Sequence, residues 1–257
     1  MATIKYFDTN LDQTGVRILG QPVACLKKIS VLLLSLFFAF EVVIYCDRSL
    51  ATDQEVVFRR YLPQNITTLD PLVSVEIYSQ SIIRQVYDTL FVNRDGNTPE
   101  PHLAKSFSFD PQTKIYRIQL RSDIAFQNGK PLLADDVIFT FRRICKHPAG
   151  TVKMLKLIRG CRDQESFGVK KLSATEVAIE LKESFPPFLA TLATPQFMIL
   201  PDGLSGKNEK AFFAKPIGTG AYILESQSEK KITLLSNKKY FLAQPKRDRL
   251  EYLVEPP

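Results

Sequence analysis

The chain has only two histidines, and its other residues that could carry out catalysis are not spaced as known catalytic motifs require. The two histidines, His102 and His147, each have a proline neighbour and belong to no His-Glu-x-x-His arrangement that binds a metal. Ser205 stands in Gly203-Leu204-Ser205-Gly206, which lacks the glycine two places after the serine that a nucleophile elbow needs. We therefore predict no catalytic residue, no metal site and no enzymatic activity.

The glycines on either side of Thr219 do not match a phosphate-binding loop. A dinucleotide-binding loop would have a third glycine where this chain has Ile223. Asp135 and Asp136 begin an amphipathic segment, a position that favours helix capping over acid–base catalysis. We therefore expect Gly218-Thr219-Gly220 to be a tight structural loop, and we expect no cofactor.

The four cysteines form no Cys-x-x-Cys pair, which excludes a zinc ribbon and a thioredoxin-type redox motif. Cys25 and Cys46 lie near the N-terminus, whereas Cys145 and Cys161 lie in the middle of the chain. In an oxidising compartment Cys145 and Cys161 could close a disulfide loop of modest size. Two buried free thiols are the alternative.

The composition is that of a folded globular chain. The 257 residues are 45% hydrophobic and 24% charged, which excludes disordered and fibrous classes. The 34 basic and 27 acidic residues leave a formal charge of +7, but the charges are interspersed along the chain. This pattern is typical of a solvated surface, so we expect no nucleic-acid partner.

The first 51 residues have the order of a secretory signal peptide. Lys27 and Lys28 precede an apolar run over residues 29–45, and Ser49-Leu50-Ala51 offers small residues for cleavage. Cleavage there would leave a mature chain of residues 52–257. The alternative is an uncleaved N-terminal membrane anchor, because the run is close to the length of a spanning helix.

Helical and strand patterns alternate along the rest of the chain, which predicts a mixed α/β fold. Strands are indicated by alternation of apolar and polar residues, and helices by apolar residues that recur on one face. The helix over residues 79–91 could be capped by Ser79 or Ser81, and the next by Asp135 or Asp136. The predicted strands are 55–61, 114–121, 173–182, 222–224, 231–235 and 250–254, and a short helix is predicted at 188–193.

Seven short segments, in this order, resemble the family 5 extracellular solute-binding proteins of bacterial oligopeptide, dipeptide and nickel ABC importers. Each segment alone is short, but together they span residues 69–222. The matching segments are Leu69–Pro71, Val86–Phe91, Pro101–Ser106, Tyr116–Arg121, Phe126–Val137, Phe185–Phe188 and Pro216–Tyr222.

The resemblance implies a periplasmic-binding-protein-like fold of class II, in which two lobes close on a ligand by a hinge motion. Residues 52–88 and 176–257 would build an incomplete first lobe, and residues 89–175 a small α/β domain inserted into it. The second lobe of the family would follow, and it is missing from this sequence.

The resemblance also implies a function, a location and partners. The chain would be the periplasmic substrate-binding component of a peptide-type ABC importer, a monomer that delivers its solute to an inner-membrane permease. By ungapped correspondence with the family, Val75, Glu76, Ile77 and Tyr78 would contact the ligand. The alternative interpretation is that these residues form an ordinary loop that leads into a helix. Oligopeptides, dipeptides, nickel complexes and other small solutes all remain open as ligands. A truncated product that binds nothing and a membrane-anchored sensor with the same fold are the alternatives.

Overall fold

The structure is a computed structural model that describes residues 55–94, 96, 98–147, 157–161 and 166–254. The predicted leader, residues 1–51, lies outside the described residues. Within the described ranges, no helix combines the length and apolar character needed to cross a membrane.

The described part of the chain contains ten strands and four α-helices that interleave, as expected for the mixed α/β class. Two short 3₁₀ turns, Pro195–Phe197 and Asp202–Gly206, join the later helices. In chain order the elements are β1 (Val57–Leu62), α1 (Ile77–Val86), β2 (Phe91–Val92), β3 (Glu100–Pro101), β4 (Ala104–Asp110), β5 (Ile115–Leu120), α2 (Ala134–Lys146), β6 (Val169–Ser173), β7 (Glu176–Glu180), α3 (Phe188–Leu192), α4 (Glu209–Ala214), β8 (Tyr222–Gln227), β9 (Lys231–Ser236) and β10 (Arg249–Val254).

The first four-stranded sheet has the order β1-β10-β9-β8. β1 runs parallel to β10, whereas β10, β9 and β8 pair as antiparallel neighbours. Helix α1 packs on this sheet and contributes Ile82, Ile83 and Val86, which lie in one buried cluster with Ile232 and Leu234. Burying each such side chain stabilises the fold by about 1.5–3 kcal/mol.

The second four-stranded sheet lies in the region expected to form the small domain, and we call it the small sheet. It has the order β4-β5-β7-β6 and is antiparallel throughout. Helix α2 packs on β6 and β7, and its apolar face joins the sheet in a second buried cluster. That cluster includes Val137, Phe141 and Ile144 from the helix and Val177 and Ile179 from β7.

The small sheet extends past the boundary expected between residues 175 and 176. That boundary falls between β6 and β7, which pair antiparallel, and β7 also pairs with β5. The five residues of β7 therefore belong to the small sheet rather than to the first one, because Val177 and Ile179 supply part of the small sheet's core.

Helix α1 begins earlier and ends earlier than its apolar period predicted. It begins at Ile77, after Glu76, whose carboxylate accepts the main-chain N–H of Ser79 and so acts as the cap. Neither Ser79 nor Ser81 is the cap. The helix ends at Val86, because Tyr87 is extended and the chain turns towards β2, and the carbonyl of Val86 accepts the N–H of Gly220.

Helix α2 begins at Ala134, so the predicted caps Asp135 and Asp136 lie inside its first turn. The cap position is Leu133, whose N–H donates to Asp136 Oδ2 at 2.7 Å. Asp136 thus accepts a main-chain N–H at the start of the helix from a position inside its first turn. Asp135 instead forms an ion pair with Lys171 of β6, with an N–O distance of 2.6 Å.

Candidate functional site

The four predicted ligand contacts lie at the junction between a loop and α1. Residues 72 to 77 alternate between buried and exposed, with Leu72 and Ser74 inside and Val73, Val75 and Ile77 outside. Val75 and Ile77 are 84% and 71% exposed, which is unusual for large apolar side chains in sequence proximity. We call Val73, Val75 and Ile77 the apolar loop surface.

Glu76 and Tyr78 differ from their two apolar neighbours because the fold already uses them. Tyr78 is half-buried and packs against the core of the first sheet. The carboxylate of Glu76 accepts the N–H and hydroxyl of both Thr67 and Ser79. Burial by itself would raise the pKa of Glu76, but these hydrogen bonds outweigh it and lower the pKa. Glu76 therefore fastens the loop and is not a free charge for a ligand.

Asp70 holds the other end of the loop. Its Oδ1 accepts the N–H of Leu72 at 3.0 Å, and its carbonyl accepts the N–H of Ser74 at 3.1 Å. The Gln80 side chain donates to the carbonyl of Ser74 at 3.2 Å, which ties the loop to α1. The apolar loop surface is thus presented by a backbone that is fixed on both sides, which lowers the entropy cost of binding.

Arg143 of α2 pairs with Asp70 beneath the loop. Its Nη1 and Nη2 donate to Oδ1 and Oδ2 at 3.1 and 2.6 Å, and both side chains are at least nine-tenths buried. Its Nε donates to Glu209 at 2.8 Å, and the guanidinium lies 5.0 Å from the ring centre of Phe213. Burial alone would lower the pKa of Arg143, but the two carboxylates outweigh it and raise the pKa.

Two hydroxyls close to this pair are buried without a hydrogen-bond partner among the described residues: Ser74 Oγ and Tyr87 OH. Burial, reinforced by the negative charge of Asp70, raises the pKa of Tyr87 well above its ordinary value. Tyr87 is therefore a neutral phenol within electrostatic reach of the ion pair.

The predicted tight loop Gly218-Thr219-Gly220 packs against the end of α1. A Cβ at position 218 would lie 1.9 Å from the carbonyl oxygen of Val86, and one at position 220 would lie 2.4 Å from that of Gln85. Only glycine allows this approach. The side chain of Gln127 secures the loop, because it accepts the N–H of Gly218 at 3.1 Å and donates to the carbonyl of Tyr222 at 2.8 Å.

Asp88 is a buried centre of hydrogen bonds that the sequence did not reveal. It accepts the hydroxyl of Thr219 at 2.8 Å and that of Tyr240 at 3.3 Å, and it contacts His102 Nε2 at 2.9 Å. Burial, together with the charge of Asp88, raises the pKa of Tyr240. His102 is thus a structural partner of a carboxylate that follows α1, and the tight loop reaches the same centre through Thr219.

Cys145, near the end of α2, is joined by a disulfide to Cys161 in the structure. The Cα atoms are 5.2 Å apart, within the range of ordinary disulfides. Both residues lie at the edge of the small sheet's core and far along the chain from the apolar loop surface. The disulfide closes a loop between residues 16 positions apart in the chain.

Within the described residues, no group of three or more His, Cys, Asp or Glu side chains is arranged to hold a metal. An open groove of about 690 Å³ lies behind Arg143, between the end of α2 and the segment 203–209. Phe139 and Leu204 form its apolar part, and Arg142, Lys146 and Lys207 line it with positive charge.

Comparison with known proteins gives consistent results. The family described as bacterial extracellular solute-binding proteins, family 5 Middle, matches residues 98–257. The nickel-binding periplasmic protein of Escherichia coli K12 is 30% identical over 199 residues, which are 76% of this chain and 36% of that protein. Uncharacterized protein YhjP of Bacillus subtilis 168 is 29% identical over 196 residues, 74% of this chain and 31% of its own length.

The fold is also that of solved structures. The Listeria monocytogenes OppA bound to peptide superposes with a TM-score of 0.69 at 18% identity, over 79% of this chain and 43% of that one. This likeness establishes the fold alone. The chain spans about a third of the length of the curated relatives it matches. On the match over residues 98–257, the chain belongs to the bacterial extracellular solute-binding proteins, family 5.

Proposed function

We propose that this protein is the substrate-binding component of a peptide-type ABC importer, and that it contacts its solute through Val75, Glu76, Ile77 and Tyr78. The observation that carries the proposal is the exposure of Val75 and Ile77 on a loop that Asp70 and Glu76 fasten at both ends. A rigid, exposed apolar surface of this kind is a typical ligand contact.

The chemistry of the surface favours a ligand that is recognised through its main chain. Its side chains are apolar, and the one carboxylate beside them, Glu76, is occupied as a helix cap. In the described part of the chain, the main-chain N–H and carbonyl of Val75 form no hydrogen bond. Such groups can pair with the amides of an extended peptide, whose donors and acceptors are the same for every sequence.

A peptide is favoured over a metal complex as the solute. The Listeria OppA structure contains a peptide, whereas the Escherichia coli relative is named for nickel binding. The apolar loop surface offers no imidazole, thiolate or free carboxylate that would hold a nickel ion. A short peptide can bind through the apolar contacts and main-chain hydrogen bonds that this surface offers.

The remaining parts of the proposal are the location and the partners. As an extracellular solute-binding protein, the chain would act in the periplasm as a monomer and deliver its solute to an inner-membrane ABC permease. Residues 1–51 would direct export as a signal peptide or serve as a membrane anchor. We infer a binding role without catalysis, because the matching family is described as solute-binding proteins.

The experiment that tests the proposal is a ligand survey on the full chain. Native mass spectrometry would be performed with a tripeptide library, with glutathione and with nickel chloride. We expect tripeptides to be retained and nickel chloride alone not to be. Retention of nickel alone would overturn the peptide assignment, and retention of nothing would support the alternative of a chain that binds no solute.

A further inference from the structure

We propose that Arg143 is a positioning residue that holds the apolar loop surface in its ligand-ready conformation by clamping Asp70. The inference rests on the proposed function for its effect on affinity, but its effect on the loop itself does not depend on any ligand. Arg143 lies in α2, which packs mainly on the small sheet, whereas the loop leads into α1 on the first sheet. The ion pair between Arg143 and Asp70 therefore links the small sheet and its helix to the loop on the first sheet.

The first step of the argument is geometric. The guanidinium presents two parallel N–H groups to both carboxylate oxygens, a fork-to-fork arrangement that fixes the carboxylate in rotation as well as in distance. A lysine could supply the charge, but its ammonium lacks the planar fork of parallel N–H groups that matches a carboxylate. Because both side chains are about nine-tenths buried, water competes little for these hydrogen bonds.

The second step connects the carboxylate to the loop. Asp70 Oδ1, which Arg143 holds, also accepts the N–H of Leu72, and the Asp70 carbonyl accepts the N–H of Ser74. Leu72 and Ser74 are the buried positions that alternate with the exposed Val73 and Val75. A rotation of the Asp70 side chain would break its hydrogen bond with the N–H of Leu72. The backbone that directs Val73 and Val75 outward would then lose this support.

The third step concerns the other contact of Arg143, the one between its Nε and Glu209, which can be altered separately. Its Nε partner, Glu209, is 59% exposed, so this contact is screened by solvent and contributes little. The bidentate pair with Asp70 can therefore form without Glu209. This difference supplies a matched control, because E209Q removes the negative charge of one partner of Arg143 while leaving Asp70 untouched.

The test is amide hydrogen exchange of the ligand-free full chain, followed by titration with the tripeptide Ala-Leu-Ala. We expect R143K to exchange at least tenfold faster than wild type at the amides of Leu72 and Ser74, with β5 and β7 unchanged. We also expect R143K to bind the tripeptide at least tenfold more weakly. E209Q should resemble wild type in both measurements.

Two further variants keep the inference falsifiable. D70N has the shape of the native side chain, so it covers the case in which R143K does not fold. I179V opens a small cavity in the small sheet and lowers stability without touching the loop. The inference is overturned if R143K and D70N leave loop exchange unchanged, or if I179V raises it as much. A wild-type chain that binds no tripeptide would contradict the proposed function, while the exchange data would still decide the role of Arg143.

Discussion

Arg143 and Asp70, 73 residues apart in sequence, form a bidentate ion pair with N–O distances of 3.1 and 2.6 Å in a nearly dry site. Removing one member of such a pair leaves an uncompensated buried charge, and this is far more costly than the net stabilisation that the pair provides. The pair lies beneath the loop that carries Val75 and Ile77, so it connects the stability of the fold with the proposed binding surface.

The first prediction concerns the stability of this pair. We expect R143M to lower the free energy of unfolding by about 3–5 kcal/mol, because the Asp70 carboxyl group would stay buried without its ion-pair partner. The double variant D70L/R143M should cost less than R143M alone, since it removes both charges. Urea denaturation followed by circular dichroism measures both values. Equal costs for the single and the double variant would show that the penalty does not come from an unpaired charge.

The second prediction concerns the tight loop. In G218A the new Cβ would lie 1.9 Å from the carbonyl of Val86, so the loop or the end of α1 must shift. We expect a loss of about 3 kcal/mol, at the upper end of overpacking penalties. G203A is the matched control, because its backbone has a φ of +57° but nothing lies within 4 Å of the new Cβ. It should cost roughly 1–2 kcal/mol from backbone strain alone. A larger loss in G203A than in G218A would refute the close approach.

The third prediction concerns Cys145 and Cys161, which are 16 residues apart. If they pair in the exported protein, closing a loop of this size stabilises the fold by about 3 kcal/mol. Dithiothreitol should then lower the melting temperature, and it should have no such effect on C145A/C161A. Peptide mapping without reductant identifies the linked peptides. Recovery of both cysteines as free thiols would favour the alternative of two buried thiols.

The fourth prediction concerns pH and Glu76. Its pKa in the folded chain is lowered below 4.5, its ordinary value, so its stabilising contribution is fully present above about pH 4.5. The contribution is lost as the pH falls through the lower, folded-state pKa, when the carboxylate takes up a proton. We expect wild type to exceed E76Q in stability by about 1 kcal/mol at pH 6, typical of a helix cap. The difference should shrink towards pH 3, as measured by urea titration at each pH, and a constant difference would contradict it.

The strands that were predicted best from the sequence are those with one apolar side buried against a single core. Alternation identified β5, β7, β9 and β10 to within a few residues, because their apolar sides face a core. It missed β6 (Val169–Ser173), because four of its five residues are exposed at the edge of the small sheet. It missed β4 as well, since only Ala104 of that strand is fully buried.

Long-range contacts explain the other differences. The apolar period of α1 continues through Leu90 and Phe91, but these side chains belong to the small sheet's core, so the helix ends at Val86. In the sequence, Asp70 was recognisable only as part of the Leu69–Pro71 segment that resembles the family, because its partner Arg143 lies on another element. The proposed ligand-contact segment was predicted from family resemblance, and the exposure of Val75 and Ile77 is a result of the tertiary structure.

The most direct test of the central claim is isothermal titration of the full chain with Ala-Leu-Ala, comparing wild type with V75D and I77D. L172D is the control, because Leu172 is also an exposed apolar residue, at 43%, but lies on the small sheet. We predict that both loop variants keep the wild-type melting temperature and bind at least tenfold more weakly, while L172D binds as wild type does. Equal affinity in all four proteins would contradict binding at this loop.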